Sequence, residues 1–315
     1  MKALALHAGV LALMTSGLAA AHAPVSGQAA ESWTAFLPVV VPVLLSAALY
    51  LRGYLQQRRS PRAWAFFAGL AVLTASLLPP LDRWSGTSFA FHMTQHELLM
   101  LIAAPLMVLG RPLPYFFCGL PRAWRPGIAR VIRHRGVRGP WSVLLNPAFA
   151  WALHAVVLWV WHAPTFFNAA LLNRGVHDLQ HLSFLVSALV FWSALFEERV
   201  RERQGAGVLY LFTTTVHTGV LGALLTFASH PWYSAYLSTT PEWGLAPLED
   251  QQIGGLIMWV PASVVYVGVG LYLLARWIES SDAAPLQHTD SLSALRDPCV
   301  DESAEVLVAP AAGDP

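Results

Sequence analysis

A chain of 315 residues that is 56% hydrophobic and only 12% charged is not an ordinary soluble domain, which carries about twice that charge. Its formal net charge of +1 gives no electrostatic footprint for nucleic acid. Its two cysteines, Cys118 and Cys299, are too few for a disulfide framework, and without C-x-x-C or C-x-x-C-H they support neither thiol redox chemistry nor c-type haem attachment.

Met1–Ala23 reads as a secretory signal: Lys2, an apolar stretch through Ala20, then the small-x-small ending Ala21-His22-Ala23. Cleavage there starts the mature chain at Pro24; the alternative is an uncleaved first membrane helix. Apolar runs follow at Trp33–Leu51, Ala63–Pro79, Phe89–Leu109, Pro147–Trp161, Val176–Phe196, Gly207–Phe227 and Ile253–Trp277. Each approaches the thickness of a hydrocarbon core, and backbone groups in lipid must be satisfied within the segment, so each is expected to be a helix. Asn146-Pro147 is a strong helix start, a capping Asn followed by Pro at the first helical position. Pro105 and Pro261 lie inside runs and are expected to kink them. The fold class is therefore all-α: residues 24–278 form a polytopic membrane bundle of about seven transmembrane helices. The acidic, Ala- and Ser-rich tail Glu279–Pro315 is expected to be disordered.

Arginine placement orients the bundle. Alternate connections hold Arg52, Arg58, Arg59 and Arg62; seven arginines between Arg111 and Arg138; Arg199, Arg201 and Arg203; and Arg276 and Arg296. The other set holds only Arg83 and Arg174. Sixteen against two puts the first set in the cytoplasm. The mature N-terminus is then expected outside and the C-terminus inside. The basic segment Arg111–Leu145 reads as a cytoplasmic loop, either lying on the anionic leaflet or acting only as a topology determinant.

In that frame the histidines gather. His92 and His96 open the third run and His177 and His181 the fifth. Each pair is spaced i, i+4, with Cβ atoms about 6 Å apart on one helix face. His162 ends the fourth run and His230 the sixth, so six histidines from four helices reach the outer side. His154 and His217 lie mid-span. Ionisable groups inside a membrane are costly and usually functional, and imidazole is the commonest metal ligand. Asp178 and Glu97 adjoin the pairs as candidate acceptors orienting the rings. Met93, Met100 and Met107 offer soft thioethers that favour Cu(I). The bland alternatives are interhelical hydrogen bonding for His154, His217 and Glu97, and helix packing for the methionines. Asp250 opens the last run near the same side, where it either bonds a histidine or caps its own helix.

One set of segments resembles a known family. Phe91-His92-Met93-Thr94-Gln95-His96, Ala104-Pro105-Leu106, Leu109-Gly110-Arg111-Pro112, His162-Ala163-Pro164, Phe167-Asn168-Ala169-Ala170-Leu171 and His177-Asp178-Leu179-Gln180-His181 resemble the CtaG-type assembly factors of caa3-type cytochrome c oxidase. So do Thr226-Phe227-Ala228, Pro231-Trp232-Tyr233, Asp250-Gln251-Gln252, Gly254-Gly255 and Met258-Trp259. The likeness covers roughly Trp33 to Trp277. It implies a non-catalytic role in forming active haem-copper oxidase through copper, in a bacterial plasma membrane. Oxidase subunits, the lipid bilayer and a periplasmic copper donor would be the partners. Carried over residue by residue, His92, His96, His177 and His181 are the leading metal ligands; His162, His217 and Asp250 rank second. Two other readings stay open. One is a b-type haem electron carrier with axial histidines from two helices; the other is a copper or proton conduit with His217 as a midway station.

Overall fold

A computed structural model describes residues 36–57, 60–196 and 204–282. The expected signal segment Met1–Ala23, the arginines Arg58, Arg59, Arg199, Arg201, Arg203 and Arg296, and the tail beyond Asp282 lie outside the described residues. Within them the protein is α-helical, and no strand is present.

All seven apolar runs are helical. They are α1 (Leu37–Gln56), α2 (Ala63–Leu77), then, after the short α3 (Leu81–Ser85), a composite helix over 89–109. This composite consists of α4 (Phe89–Glu97), a π-helical stretch Leu98–Ala103, and α5 (Ala104–Leu109). Later come α9 (Pro147–His162), α11 (Arg174–Phe196), α12 (Gln204–Thr226) and α13 (Pro247–Asp282), with the short α10 (Pro164–Leu172) between α9 and α11. Four of these helices are long and apolar enough to cross a membrane alone; the number is six if each of two bent pairs is one span, and the 15-residue α2 is a shorter apolar helix. Asn146 caps α9 as expected, its Oδ1 accepting from the backbone of Ala148 and Phe149.

Prolines act locally. Pro105 lacks a donor, and its ring crowds the carbonyl four residues earlier. The helix answers with the π turn just before it, where the Ala104 N–H reaches back five residues to Leu99. At Pro261 helix α13 continues unbroken.

The segment 111–145 is not a simple loop. It forms α6 (Pro112–Gly119), α7 (Arg125–Arg133) and α8 (Arg135–Leu144). Helix α6 turns 62° from the composite helix and buries Leu113, Tyr115 and Phe116 beside α1. Helices α7 and α8 bury only Trp141. With arginines on one side and apolar residues on the other, they have the form of interfacial helices.

Helix α13 is wedged between α4 and α12 by its tandem glycines. A Cβ on Gly254 would lie 2.3 Å from the Phe89 ring, and one on Gly255 would lie 2.9 Å from the Gly222 carbonyl. Small residues of this kind let membrane helices approach backbone to backbone. This wedge holds the start of α4, with its histidine pair, against the start of α13.

Candidate metal centre

Helix periodicity sets His92 and His96 on one face of α4 and His177 and His181 on one face of α11, and the bundle turns these faces toward each other. Ring centroids stand 4.4 Å apart for His92–His96, 4.2 Å for His177–His181, 5.3 Å for His92–His177 and 5.3 Å for His96–His181. His162, at the end of α9, approaches His96 at 6.3 Å. One ligand nitrogen from each of His92, His96 and His181 lies within 4.8 Å of the others, and all three residues are buried. Imidazole nitrogens sit about 2 Å from a bound ion, so small ring rotations bring these three onto one ion.

Hydrogen bonds fix the ring tautomers. The Tyr236 hydroxyl donates to the Ser85 carbonyl at 2.7 Å, which uses its only proton. Toward His92 Nδ1, 2.8 Å away, that oxygen must accept, so Nδ1 carries the proton. In the neutral ring Nε2 is then bare, and it faces His96 Nε2 at 3.0 Å. His162 repeats the device: its Nδ1 donates to the Leu158 carbonyl at 2.7 Å, leaving Nε2 bare. Tyr236 stays a donor because burial, then the Asp250 carboxylate and Tyr233, raise its hydroxyl well above the ordinary phenol range.

The cluster also concentrates polar atoms with nothing to bond. His96 Nδ1, the Nε2 atoms of His162, His177 and His181, and both amide atoms of Gln180 are buried without a hydrogen-bond partner. Buried polar atoms are normally paired, so a group of orphans has the character of a ligand site. Aromatic rings enclose it. Phe167 lies against His92 at 4.9 Å and Phe184 against His96 at 4.5 Å. Tyr233 stacks on Phe89 and packs on Phe167, and its hydroxyl donates to the His162 carbonyl at 2.9 Å.

The remaining expected residues are placed elsewhere. Asp250 bonds no histidine and does not cap its own helix. It is fully buried and caps α4 from α13, accepting from Ser88 Oγ and Phe89 N (both 2.7 Å), Ala90 N (3.0 Å) and Thr240 Oγ1 (3.0 Å). Asp178 bonds no ring; with His181 it lines a cavity of about 100 Å³ between α1, α2 and α11. Glu97 follows His96 by one residue and leaves α4 on another face, within electrostatic reach of Tyr266. Met93 packs beside Gly254, and Met107 beside Gly69. His217 stays mid-span on α12, edge-on to Trp151 at 5.4 Å. Both its nitrogens, His154 Nε2 and Trp151 Nε1 are buried without partners, a smaller orphan group apart from the cluster. His230 is exposed beside Ser229. Five histidines, not six, thus share the site.

Tyr233, Tyr236 and Gln180 were not among the expected site residues. Gln180 and Tyr233 carried a signal, since both stand in the motif segments. Tyr236 lies between motifs, and only the fold brings it to His92.

A helical membrane protein with a buried imidazole cluster near one end of its bundle is the class these features define. Residues 48–280 match the family of the cytochrome c oxidase caa3 assembly factor (Caa3_CtaG), and the chain belongs to that family, whose role is in cytochrome c oxidase assembly. Two uncharacterized proteins, one from Mycobacterium bovis and one from Mycobacterium tuberculosis, are each 23% identical over 246 residues, covering 72% of this chain and 36% of theirs. The chain thus spans about a third of the length of these curated relatives. No solved structure matches it.

Proposed function

We propose that the protein supports cytochrome c oxidase assembly by holding copper as cargo at His92, His96 and His181, with His162 and His177 alongside. The observation that carries this reading is the bare, buried Nε2 of His92, held in that tautomer by Tyr236 and Ser85 and aimed at a second imidazole. A neutral nitrogen lone pair held by such an outer partner is what a borderline or soft metal ion needs. Bound copper would take the place of the His96 Nε2 proton, which can move to the bare Nδ1 of the same ring, and would give the orphaned Nε2 of His181 a partner. His177, only partly buried, stands nearest the surface and offers the route in, through His181, to the paired rings of α4. The aromatic layer around Phe167 and Tyr233 excludes water that would compete for the ion. Arginine placement favours this end of the bundle facing away from the cytoplasm, where a periplasmic donor and the oxidase subunits would meet it.

The test is metal analysis with an absorption spectrum on protein purified from copper-replete cells. Copper in the wild type, lost in a His92→Ala/His96→Ala variant that also fails to support oxidase assembly, is the expected result. A metal-free protein unable to take up Cu(I), from cells with active oxidase, overturns the reading. A Soret band would favour the haem alternative. The short ring-to-ring distances favour one small ion over a macrocycle, whose plane must separate its two axial rings.

A further inference from the structure

At the other end of the bundle, α5, α11, α12 and α13 surround a cavity of about 270 Å³. Arg62, Arg111 and Arg276 converge on it, and Leu195, Val269 and Leu273 supply part of an apolar wall. From His96 to Arg111 is fifteen residues along the composite helix, on the order of 20 Å, so this site is separate from the histidine cluster.

Two observations mark it as built for a ligand. None of the three guanidiniums has a hydrogen-bond or ion-pair partner among the described residues. Nearby Arg125, in contrast, is tied to the Leu120 and Cys118 carbonyls and to Gln56 Oε1. Second, Arg111 has φ of +48°, the one non-glycine residue with positive φ among those described. A side-chain-bearing residue is held in that region only where its surroundings impose it, and such strain collects at ligand clamps. The Tyr50 hydroxyl anchors this turn by donating to the Gly110 carbonyl at 2.9 Å.

Three guanidiniums without a partner among the described residues, over an apolar groove at the arginine-rich end of the bundle, match an anionic headgroup joined to an acyl chain. Basic pockets between membrane helices on the cytoplasmic side have this chemistry. We propose that the cavity binds one anionic phospholipid, its phosphate between Arg62, Arg111 and Arg276 and an acyl chain along Leu195, Val269 and Leu273. The inference does not depend on copper at the other end.

The experiment is a lipid titration of the full chain in neutral detergent, read by native mass spectrometry, with phosphatidylglycerol, phosphatidylcholine and inorganic phosphate as probes. Phosphatidylglycerol should bind in preference to phosphatidylcholine, with affinity falling about fivefold for each guanidinium removed in Arg62→Gln, Arg276→Gln and Arg111→Gly. Glycine tolerates the Arg111 backbone conformation, and the other two positions are exposed, so the variants should fold. Equal binding of the two lipids, or undiminished phosphatidylglycerol binding in the triple variant, overturns the proposal. Displacement of the lipid by millimolar phosphate overturns the lipid assignment in favour of a soluble anion.

Discussion

The two ends of the bundle solve the problem of polar groups in a membrane in opposite ways. At the histidine end the polar atoms are inside and held by partners distant in sequence: Asp250 on the start of α4, Tyr236 between His92 and Ser85, Tyr233 on the His162 carbonyl, Asn168 on the Ala235 N–H. At the arginine end Arg130, Arg133, Arg135 and Arg138 of α7 and α8 are exposed, and the guanidiniums at the cavity have no partner among the described residues. Rigidity is concentrated where lone pairs are left bare, and charge is exposed at the opposite end. The first arrangement suits tight retention of a small ion; the second suits a fluid, reversible surface.

The contrast predicts unequal mutational effects. Asp250→Ala strips a buried acceptor from two backbone N–H groups and two hydroxyls, and should destabilise the protein by roughly 3–5 kcal/mol. A matching fall in melting temperature and loss of bound copper would be the measurements; a small change would show that α4 is not held from α13. Tyr236→Phe frees the His92 tautomer and should weaken copper affinity by about 10- to 100-fold, with a stability loss of about 1–3 kcal/mol from the Ser85 carbonyl and His92 Nδ1–H left unpaired. An unaltered affinity in a Cu(I) competition assay would break the tautomer argument. Copper retention should fall on acidification, because binding requires unprotonated rings. Equilibrium dialysis between about pH 4 and 8 checks this. The raised Tyr236 hydroxyl keeps its proton over that window, so no loss is expected toward its upper limit. The smallest effect belongs to the other end: Arg130→Gln/Arg133→Gln on exposed α7 should change stability by no more than about 0.5 kcal/mol.

Much of the helical layout was legible because a membrane helix announces itself by length and apolarity, and positions such as Asn146-Pro147 fixed their own starts. The histidine pairs were legible because i, i+4 spacing is a property of one helix. What escaped depended on which helix faces which. Asp250 reads as a cap for the helix it opens, yet it serves α4, more than 160 residues earlier. Tyr236 has no local pattern at all. Helix α6 was hidden by its basic surroundings, although Leu113, Tyr115 and Phe116 formed an apolar run. His217 was drawn toward the site by the family resemblance, but its mid-span place beside Trp151 keeps it from the cluster.

The π turn after His96 explains why the seven-residue spacing of the methionines ends in helix packing and not in a line of thioethers. An α-helix advances about 100° per residue, and one extra residue in a turn rotates everything downstream by about that amount. Met93 precedes Leu98–Ala103, Met100 lies in it and Met107 follows it. A repeat that would stack three thioethers into a stripe is broken by this phase slip, and the sulfurs are dispatched to different neighbours: Met93 beside α13, Met107 beside α2. His92 and His96, both upstream of the slip, keep a common bearing that the thioethers lose.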